Sequence, residues 1–440
     1  MTPTGRLQKK SKSNKNTEFI FVHAADLHLD SPFHGLSDID PQLRDVMTEA
    51  TFAAYNKIID LCIDKSADFL LIAGDIYDSA DKSLYAQLKF LEGLKRLSDA
   101  GIATYITHGN HDPLSGWSAS LKWPDNVKVF SGDHVETVAM SRNERVIANI
   151  SGISYREKHI KENLAKGFQK KDPGSPYTIG MLHCTVGSGE RHYPYAPCNI
   201  QDLRETNYDY WALGHIHQPQ FIETEPFIVY CGNPQGRDPG EPGERGCMVV
   251  EVDKKGNTNV DFVPVDSVRW CVEELSVSEL ETEGSLIEQL EEKMDKLSGI
   301  SEGKYVICRL VLTGRSPLKR SLIKDGFLSD LVQHLRDNYD QGPGSVWLER
   351  LKDETSFPFE REDLLSRQDF ISDLLSISDE LCSDSDRLRE LDSPLHELFG
   401  KGKIRHMLMS LDEEERTRVL RTAEELLLDK LIPEAEYENN

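Results

Sequence analysis

From residue 18 onward the chain switches between short apolar runs and stretches whose apolar residues recur at helical spacing. "EFIFVHAAD", "ADFLLIAGD" and "IATYITHGN" are continuous apolar runs and predict buried strands. Between them, "PQLRDVMTEATFAAYNKIIDLCIDKS" and "SLYAQLKFLEGLKRLSDAG" repeat apolar residues every three to four positions and predict helices. The resulting strand–helix alternation is that of a layered α/β domain. Further strands are expected at "VKVF", "RVIANISGISY", "TIGMLHC", "YWALG", "FIVYCG", "GCMVVEV" and "NVDFVPV", with few helices between them. Residues 18–266 are therefore expected to form a two-sheet sandwich with helices outside, rather than one doubly wound sheet.

The pattern changes after "VDSVRW". "WCVEELSV", "KYVICRLVLTG" and "SVWLERLKD" read as strands, separated by the helical "SLIEQLEEKMDKLSG" and "LIKDGFLSDLVQHLRDNYD". This predicts a small α+β domain over 267–358. From 359 to 440 only helical patterns with acidic loops remain, among them "EDLLSRQDFISDLL", "PLHELFG" and "IRHMLMSLDEEERTRVLRTAEELLLDKLI". Residues 1–17 are basic and polar and are expected to be a disordered tail. No internal repeat of the solenoid kind is visible.

Composition narrows the class of function. The 440 residues suffice for two or three domains. No apolar run approaches the roughly 18 residues of a membrane span, so no membrane partner is expected. The first residues lack the apolar stretch of a secretory signal. The 8 cysteines form no CxxC pair, and several sit inside apolar strand-like runs. Buried thiols in a reducing cytoplasm fit this better than disulfides or a zinc site. The net charge of −24 argues against holding nucleic acid through a global positive field. It is uneven, since residues 351–440 carry 12 Lys and Arg against 24 Asp and Glu.

Candidate chemistry gathers at the ends of the predicted strands. The first ends in Asp26 and His28, the second in Asp75 and Asp78, and the third in Asn110, His111 and Asp112. "TIGMLHC" delivers His183, and "YWALGHIH" delivers His215 and His217. Alone, the last two could be ordinary loop histidines. Open α/β sheets, however, place ligands beyond the carboxyl ends of their strands. Imidazole with carboxylate and amide oxygens suits manganese, iron or zinc. A bridging carboxylate between two such ions, about 3.5–4 Å apart, can support phosphoryl chemistry. The lysines of "YREKHIKENLAKGFQKKDPG" read as a solvated helix face, with a phosphate-backbone contact as the alternative.

In this order "DLH", "GDIYD", "GNHD", the histidine of "MLHC" and "GHIH" resemble the motifs of the calcineurin-like metallophosphoesterases. "FVHAADLHLDSPFHGL" and the appended modules resemble the SbcD branch of DNA double-strand-break repair nucleases, nearest to its bacterial YhaO-type subgroup. The resemblance implies an αββα sandwich followed by a capping domain. It implies two divalent ions, Mn2+ first, with iron or zinc as alternatives. Asp26, His28 and His217 would bind the first ion, Asn110, His183 and His215 the second, and Asp75 both. His111 would be the general acid, with Asp78 as its orienting partner. Many SbcD-type nucleases have a histidine where Asp78 stands, so this position departs from the nuclease pattern towards the phosphatases.

The implied partners are DNA, a coiled-coil SMC-type ATPase docked on the C-terminal helices, and a second copy of the chain. The apolar face within Asp45–Leu61 is the expected surface for that second copy. Three functions follow: a DNA nuclease, a phosphatase or phosphodiesterase for a nucleotide, small molecule or phosphoprotein, and a non-catalytic scaffold. The scaffold would predict broken motifs, whereas every expected position is filled. His34, in the loop after the first motif, is a candidate for lining the substrate entrance.

Overall fold

The computed structural model describes residues 17–31, 41–80, 82–187, 195–339, 344–359, 361–390 and 412–431. The expected tail up to residue 16, the loop holding His34, and "PLHELFG" lie outside these residues. Two compact units divide the chain. The first comprises Met1–Val272, Asp295–Arg309 and Asn338–Glu349; the second comprises Glu273–Met294, Leu310–Asp337 and Arg350–Asn440.

In the first unit the elements run β1 (Thr17–Ala24), α1 (Pro41–Asp64), β2 (Phe69–Ala73), α2 (Leu84–Asp99), β3 (Ala103–Thr107) and β4 (Val127–Val129). They continue with β5 (Glu136–Arg142), β6 (Arg145–Gly152), β7 (Tyr177–His183), α3 (Ile200–Arg204) and β8 (Tyr210–Gly214). The last are β9 (Gln220–Thr224), β10 (Phe227–Tyr230), β11 (Gly246–Asp253) and β12 (Thr258–Pro264). One six-stranded sheet has the order β12-β11-β1-β2-β3-β4 and the other β5-β6-β7-β8-β10-β9. β1 to β4 pair in parallel, as do β6, β7, β8 and β10. The expected two-sheet α/β architecture is present. β5 and β9 were not legible as strands, because both are edges whose residues are largely exposed.

Strand alternation explains the layering, since successive side chains point to opposite faces. Phe19, Phe21, Phe69 and Leu71 pack with Ile179, Met181, Tyr210 and Ala212 in the core between the sheets. Their neighbours Val22, Leu70 and Ile72 face Phe52, Tyr55, Ile58, Phe90 and Leu94 of α1 and α2. Leu182, Trp211 and Leu213 face outward onto Phe168 and Leu203. Ser83 caps α2 by accepting the Ala86 N–H at 3.2 Å.

Two expectations fail here. The apolar face within Asp45–Leu61 is not free for a second copy. Phe52, Tyr55, Ile58 and Ile59 are buried against the sheet, and Met47 and Ala50 pack on Val268, Trp270, Ile307 and Trp347. The lysine-rich stretch after Tyr155 is not a helix face. It is an irregular loop with one 3₁₀ turn at Leu164–Gly167, started by the Asn163 side chain.

Next come β13 (Val268–Ser276), α4 (Glu283–Gly299), β14 (Tyr305–Arg315), α5 (Lys319–Leu322), α6 (Phe327–Tyr339) and β15 (Val346–Ser356). β13, β14 and β15 form a three-stranded sheet in that order. The second unit ends in helices α7 (Arg361–Leu365), α8 (Phe370–Ser383), α9 (Ser385–Glu390) and α10 (Glu413–Leu431). Leu364, Ile371, Leu375 and Leu428 are their core. Arg361 bridges Asp379 and Glu424 beside it. All 8 cysteines are free thiols, Cys271 and Cys382 only partly buried and the others buried.

Candidate metal centre

The carboxyl ends of β1, β2 and β3 in one sheet and of β7 and β8 in the other meet at one edge of the sandwich. Main-chain bonds tie the first two loops together: Asp26 N–H donates to Gly74 O at 3.1 Å and His28 N–H to Asp75 O at 3.1 Å. Asp26 reaches the other sheet, both its oxygens accepting the His215 N–H at 3.0 Å. Asp112 is the pin of the third loop. Its carboxylate accepts from Ile76 N–H, Gly109 N–H and His108 Nδ1. Close approach requires glycine at two positions. A Cβ on Gly214 would lie 1.9 Å from Ala73 O, and one on Gly109 2.3 Å from Asp75 Oδ1. Asp26, His28, Asp75 and His215 all have positive φ, at 52°, 43°, 47° and 99°. Each such residue costs on the order of 1–3 kcal/mol, a strain that clusters at functional sites.

The side chains of the candidate residues approach one another. His28 Nε2 faces His217 Nε2 at 3.2 Å. His183 Nε2 lies 3.0 Å from Asn110 Oδ1 and 3.3 Å from Asp75 Oδ2. Asp75 Oδ2 is 3.9 Å from His28 Nε2, so this carboxylate touches both groups. Donor atoms of Asp26, His28 and His217 lie within 4.8 Å of one another, and so do those of Asp26, Asp75 and His183. The His215 ring lies 5.2 Å from that of His183.

The donor set fits divalent ions. His28 Nδ1 donates to Asp78 at 2.9 Å, His217 Nδ1 to Glu241 at 2.5 Å, and His183 Nδ1 to Ala73 O at 3.1 Å. Each ring, once neutral, turns an Nε2 lone pair inward, the arrangement that orients metal-binding histidines. His28 Nε2 and His217 Nε2 are 3.2 Å apart, a spacing that one shared proton or one cation bound by both would satisfy.

The electrostatics agree. Burial pulls His183 down, but the Asp75 and Asp26 carboxylates outweigh it and raise the imidazole to about 9. Burial opposes the Asp75 carboxylate too, yet His183, His28 and His111 hold it below the usual carboxylate range. Burial, helped by Arg237, lowers His28 to about 3, and it raises Asp26.

A proton on His183 therefore competes with any bound ion. Metal affinity is expected to rise with pH up to about 9, and uptake at pH 7 to release about one proton. Calorimetry in buffers of different ionisation enthalpy measures this; an affinity flat from pH 7 to 9 contradicts it. In the metal-free chain the sign is that of a raised imidazole. Its contribution to stability is complete below 6.5 and is lost as pH rises through about 9.

His111 lies beside the donors, its ligand atom within 4.8 Å of those of His28 and Asp78. Its N–H donates to Asp75 Oδ1 at 2.9 Å, while its side chain is 39% exposed on the cavity. The Asp78 carboxylate meets His111 as expected, but at 3.8 Å, and its closer partners lie elsewhere. It accepts from His28 Nδ1 and from Arg237, with His111 Nδ1 3.8 Å away. His111 Nδ1 is bound instead by the Asp78 main-chain carbonyl at 3.0 Å. The buried His28 ring reaches the carboxylate first, so Asp78 orients a donor of the centre. Burial tends to raise Asp78, but its bond to His28 prevails and holds it down at about 2.

The cavity over the centre has a volume of about 360 Å³ and is lined by Asp75, Asn110, His111, His215, His217 and Glu241. Glu241, Arg237 and Arg245 were not singled out from the sequence. They lie in "CGNPQGRDPGEPGERG", which read only as turns. Arg245 is buried, and donates to the His217 carbonyl and to Asn233.

Parallel strands of two sheets that deliver His, Asp and Asn donors to one cavity define a metallophosphoesterase. The chain belongs to the calcineurin-like metallophosphoesterase family, whose members hydrolyse phosphoesters at a dinuclear divalent metal centre. The family described as "Calcineurin-like phosphoesterase" matches residues 19–219, and "Metallophosphoesterase YhaO, middle domain" matches 270–356. The chain is 37% identical over 340 residues to the "Uncharacterized metallophosphoesterase YhaO" of Bacillus subtilis (strain 168), covering 77% of this chain and 82% of that protein. It is 24% identical over 317 residues to the "DNA double-strand break repair protein Mre11" of Sulfurisphaera tokodaii, covering 69% and 76%. It is 23% identical over 295 residues to a subunit of the SbcCD nuclease of Staphylococcus epidermidis, covering 62% and 75%.

Proposed function

We propose that this chain is a phosphodiesterase acting on DNA, the nuclease subunit of a repair complex with a coiled-coil SMC-type ATPase. The observation that carries the chemistry is the convergence of donor atoms from Asp26, His28, Asp75, His183 and His217, with His111 beside them and open to the cavity. Asp26, His28 and His217 would hold one ion, Asn110, His183 and His215 the other, with Asp75 between them and Mn2+ as the metal. The ions would neutralise phosphate charge and lower the pKa of a bound water. With Nδ1–H held by the Asp78 carbonyl, a His111 imidazolium would give its Nε2 proton to the leaving oxygen and become neutral. Relatives named for DNA repair and for nuclease activity support the substrate class.

We place the capping domain at 267–358 and the partner-binding region at 359–440. On α8 a stripe of Phe370, Leu374, Ile377 and Leu381 has the 4-3-4 spacing of a coiled-coil seam. Phe370 and Ile377 are 68% and 52% exposed. No helix among the described residues is long and apolar enough to cross a membrane, and we place the protein in the bacterial cytoplasm. The double substitution Phe370→Ser with Ile377→Asp is expected to weaken binding of the ATPase by about 100-fold, two hot-spot contacts being lost. Hydrolysis of an aryl phosphodiester should not change. Pull-down and initial rates measure the two effects, and loss of hydrolysis together with binding would refute a separate docking role.

The reading is tested by comparing an aryl phosphodiester with the matching monoester in Mn2+. Diester hydrolysis well above monoester hydrolysis is expected. The reverse favours a phosphatase for a nucleotide, small molecule or phosphoprotein.

A further inference from the structure

Arg237 lies in the loop between β10 and β11, outside the donor set, with its side chain 16% exposed. Its Nη1 donates to Asp78 Oδ1 at 2.8 Å and to Ser31 Oγ at 3.1 Å. Its Nη2 stands 3.5 Å from Glu241 Oε1, and its main-chain N–H donates to Glu241 Oε2 at 2.8 Å. Asp78 and Glu241 are the carboxylates that accept from Nδ1 of His28 and of His217. One guanidinium therefore touches the carboxylate behind each imidazole of the first metal position.

We infer that Arg237 is a positioning residue that links His28 and His217 through Asp78 and Glu241 and sets the affinity of the first metal position. This rests on the metal assignment proposed above. The physical reason is the cost of two poorly solvated carboxylates facing one side chain. Without a cation between them they repel, and each gains by turning towards water. Either motion would take an imidazole with it and spoil the 3.2 Å approach of the two Nε2 atoms. A planar fork can serve two carboxylates at once, whereas a lysine ammonium is a single point charge. Asn233 Nδ2 holds Glu241 Oε2 from the other side at 2.8 Å, so the guanidinium works on a carboxylate that is already fixed. His183, in the second position, is oriented by Ala73 O instead, so the effect should be confined to the first.

The test is a Mn2+ titration of the full chain by calorimetry and equilibrium dialysis, with the fold checked by circular dichroism. Wild type should take up two ions. Arg237→Ala should lose about 10–100-fold in affinity at one position and leave the other unchanged, the range found when outer partners of metal ligands are removed. Arg237→Lys should recover only part of that loss. In a His28→Ala background Arg237→Ala should have no further effect. Arg204→Ala removes an equal charge at the exposed pair with Glu223 and should titrate as wild type. If Arg237→Ala does not fold, the isosteric Glu241→Gln carries the same expectation. Wild-type affinity at both positions, or equal weakening of both, overturns the inference and leaves the two-metal reading standing. A wild-type chain that binds fewer than two ions overturns the metal assignment and the inference with it.

Discussion

Replacing Asp75 by alanine is expected to empty both metal positions and to slow phosphodiester hydrolysis by on the order of 10³-fold or more. Its carboxylate faces His183 Nε2 at 3.3 Å and His28 Nε2 at 3.9 Å, a donor from each group. Its other oxygen accepts the His111 N–H, so one side chain joins both donor groups and the proton donor. Metal ions supply several kcal/mol of transition-state charge stabilisation, and each ~1.4 kcal/mol is tenfold in rate. Metal content per chain by mass spectrometry, beside initial rates, gives the answer. Asp75→Asn keeps the shape and should show the same losses. If only one ion leaves, Asp75 does not bridge.

Substituting His111 by alanine should lower kcat by about 10²–10⁴-fold, the range of a general acid, with both ions retained. Its Nδ1 is held by the Asp78 carbonyl, which turns Nε2 to the cavity. The loss should be larger for a poor alkoxide leaving group than for an aryl one, because a good leaving group needs less help from an acid. A proportional loss of metal would make His111 a ligand. An equal loss with both leaving groups would remove its acid role.

The centre was legible because each donor follows an apolar run, and parallel strands deliver their ends to one edge. Asp26, His28, Asp75, Asn110, His183, His215 and His217 all converge there. The outer partners were not legible. Glu241 is 24 residues from His217 in the chain and sits among glycines and prolines. Only the return of the chain between β10 and β11 brings it and Arg237 to the histidines. At Asp78 the sequence pointed to His111, which lies 3.8 Å from the carboxylate, but gave no sign that His28 would bind it more closely, at 2.9 Å. On α1 the helical period correctly marked an apolar face but could not say what covers it. That face meets the sheet.

Cleavage of a defined linear DNA duplex in Mn2+, run beside phosphate monoesters and with and without the proposed ATPase partner, tests the central claim most directly. We expect cleavage that needs the metal and is lost in His111→Ala, with monoesters turned over slowly. Brisk monoester hydrolysis with an intact duplex under every condition would contradict it.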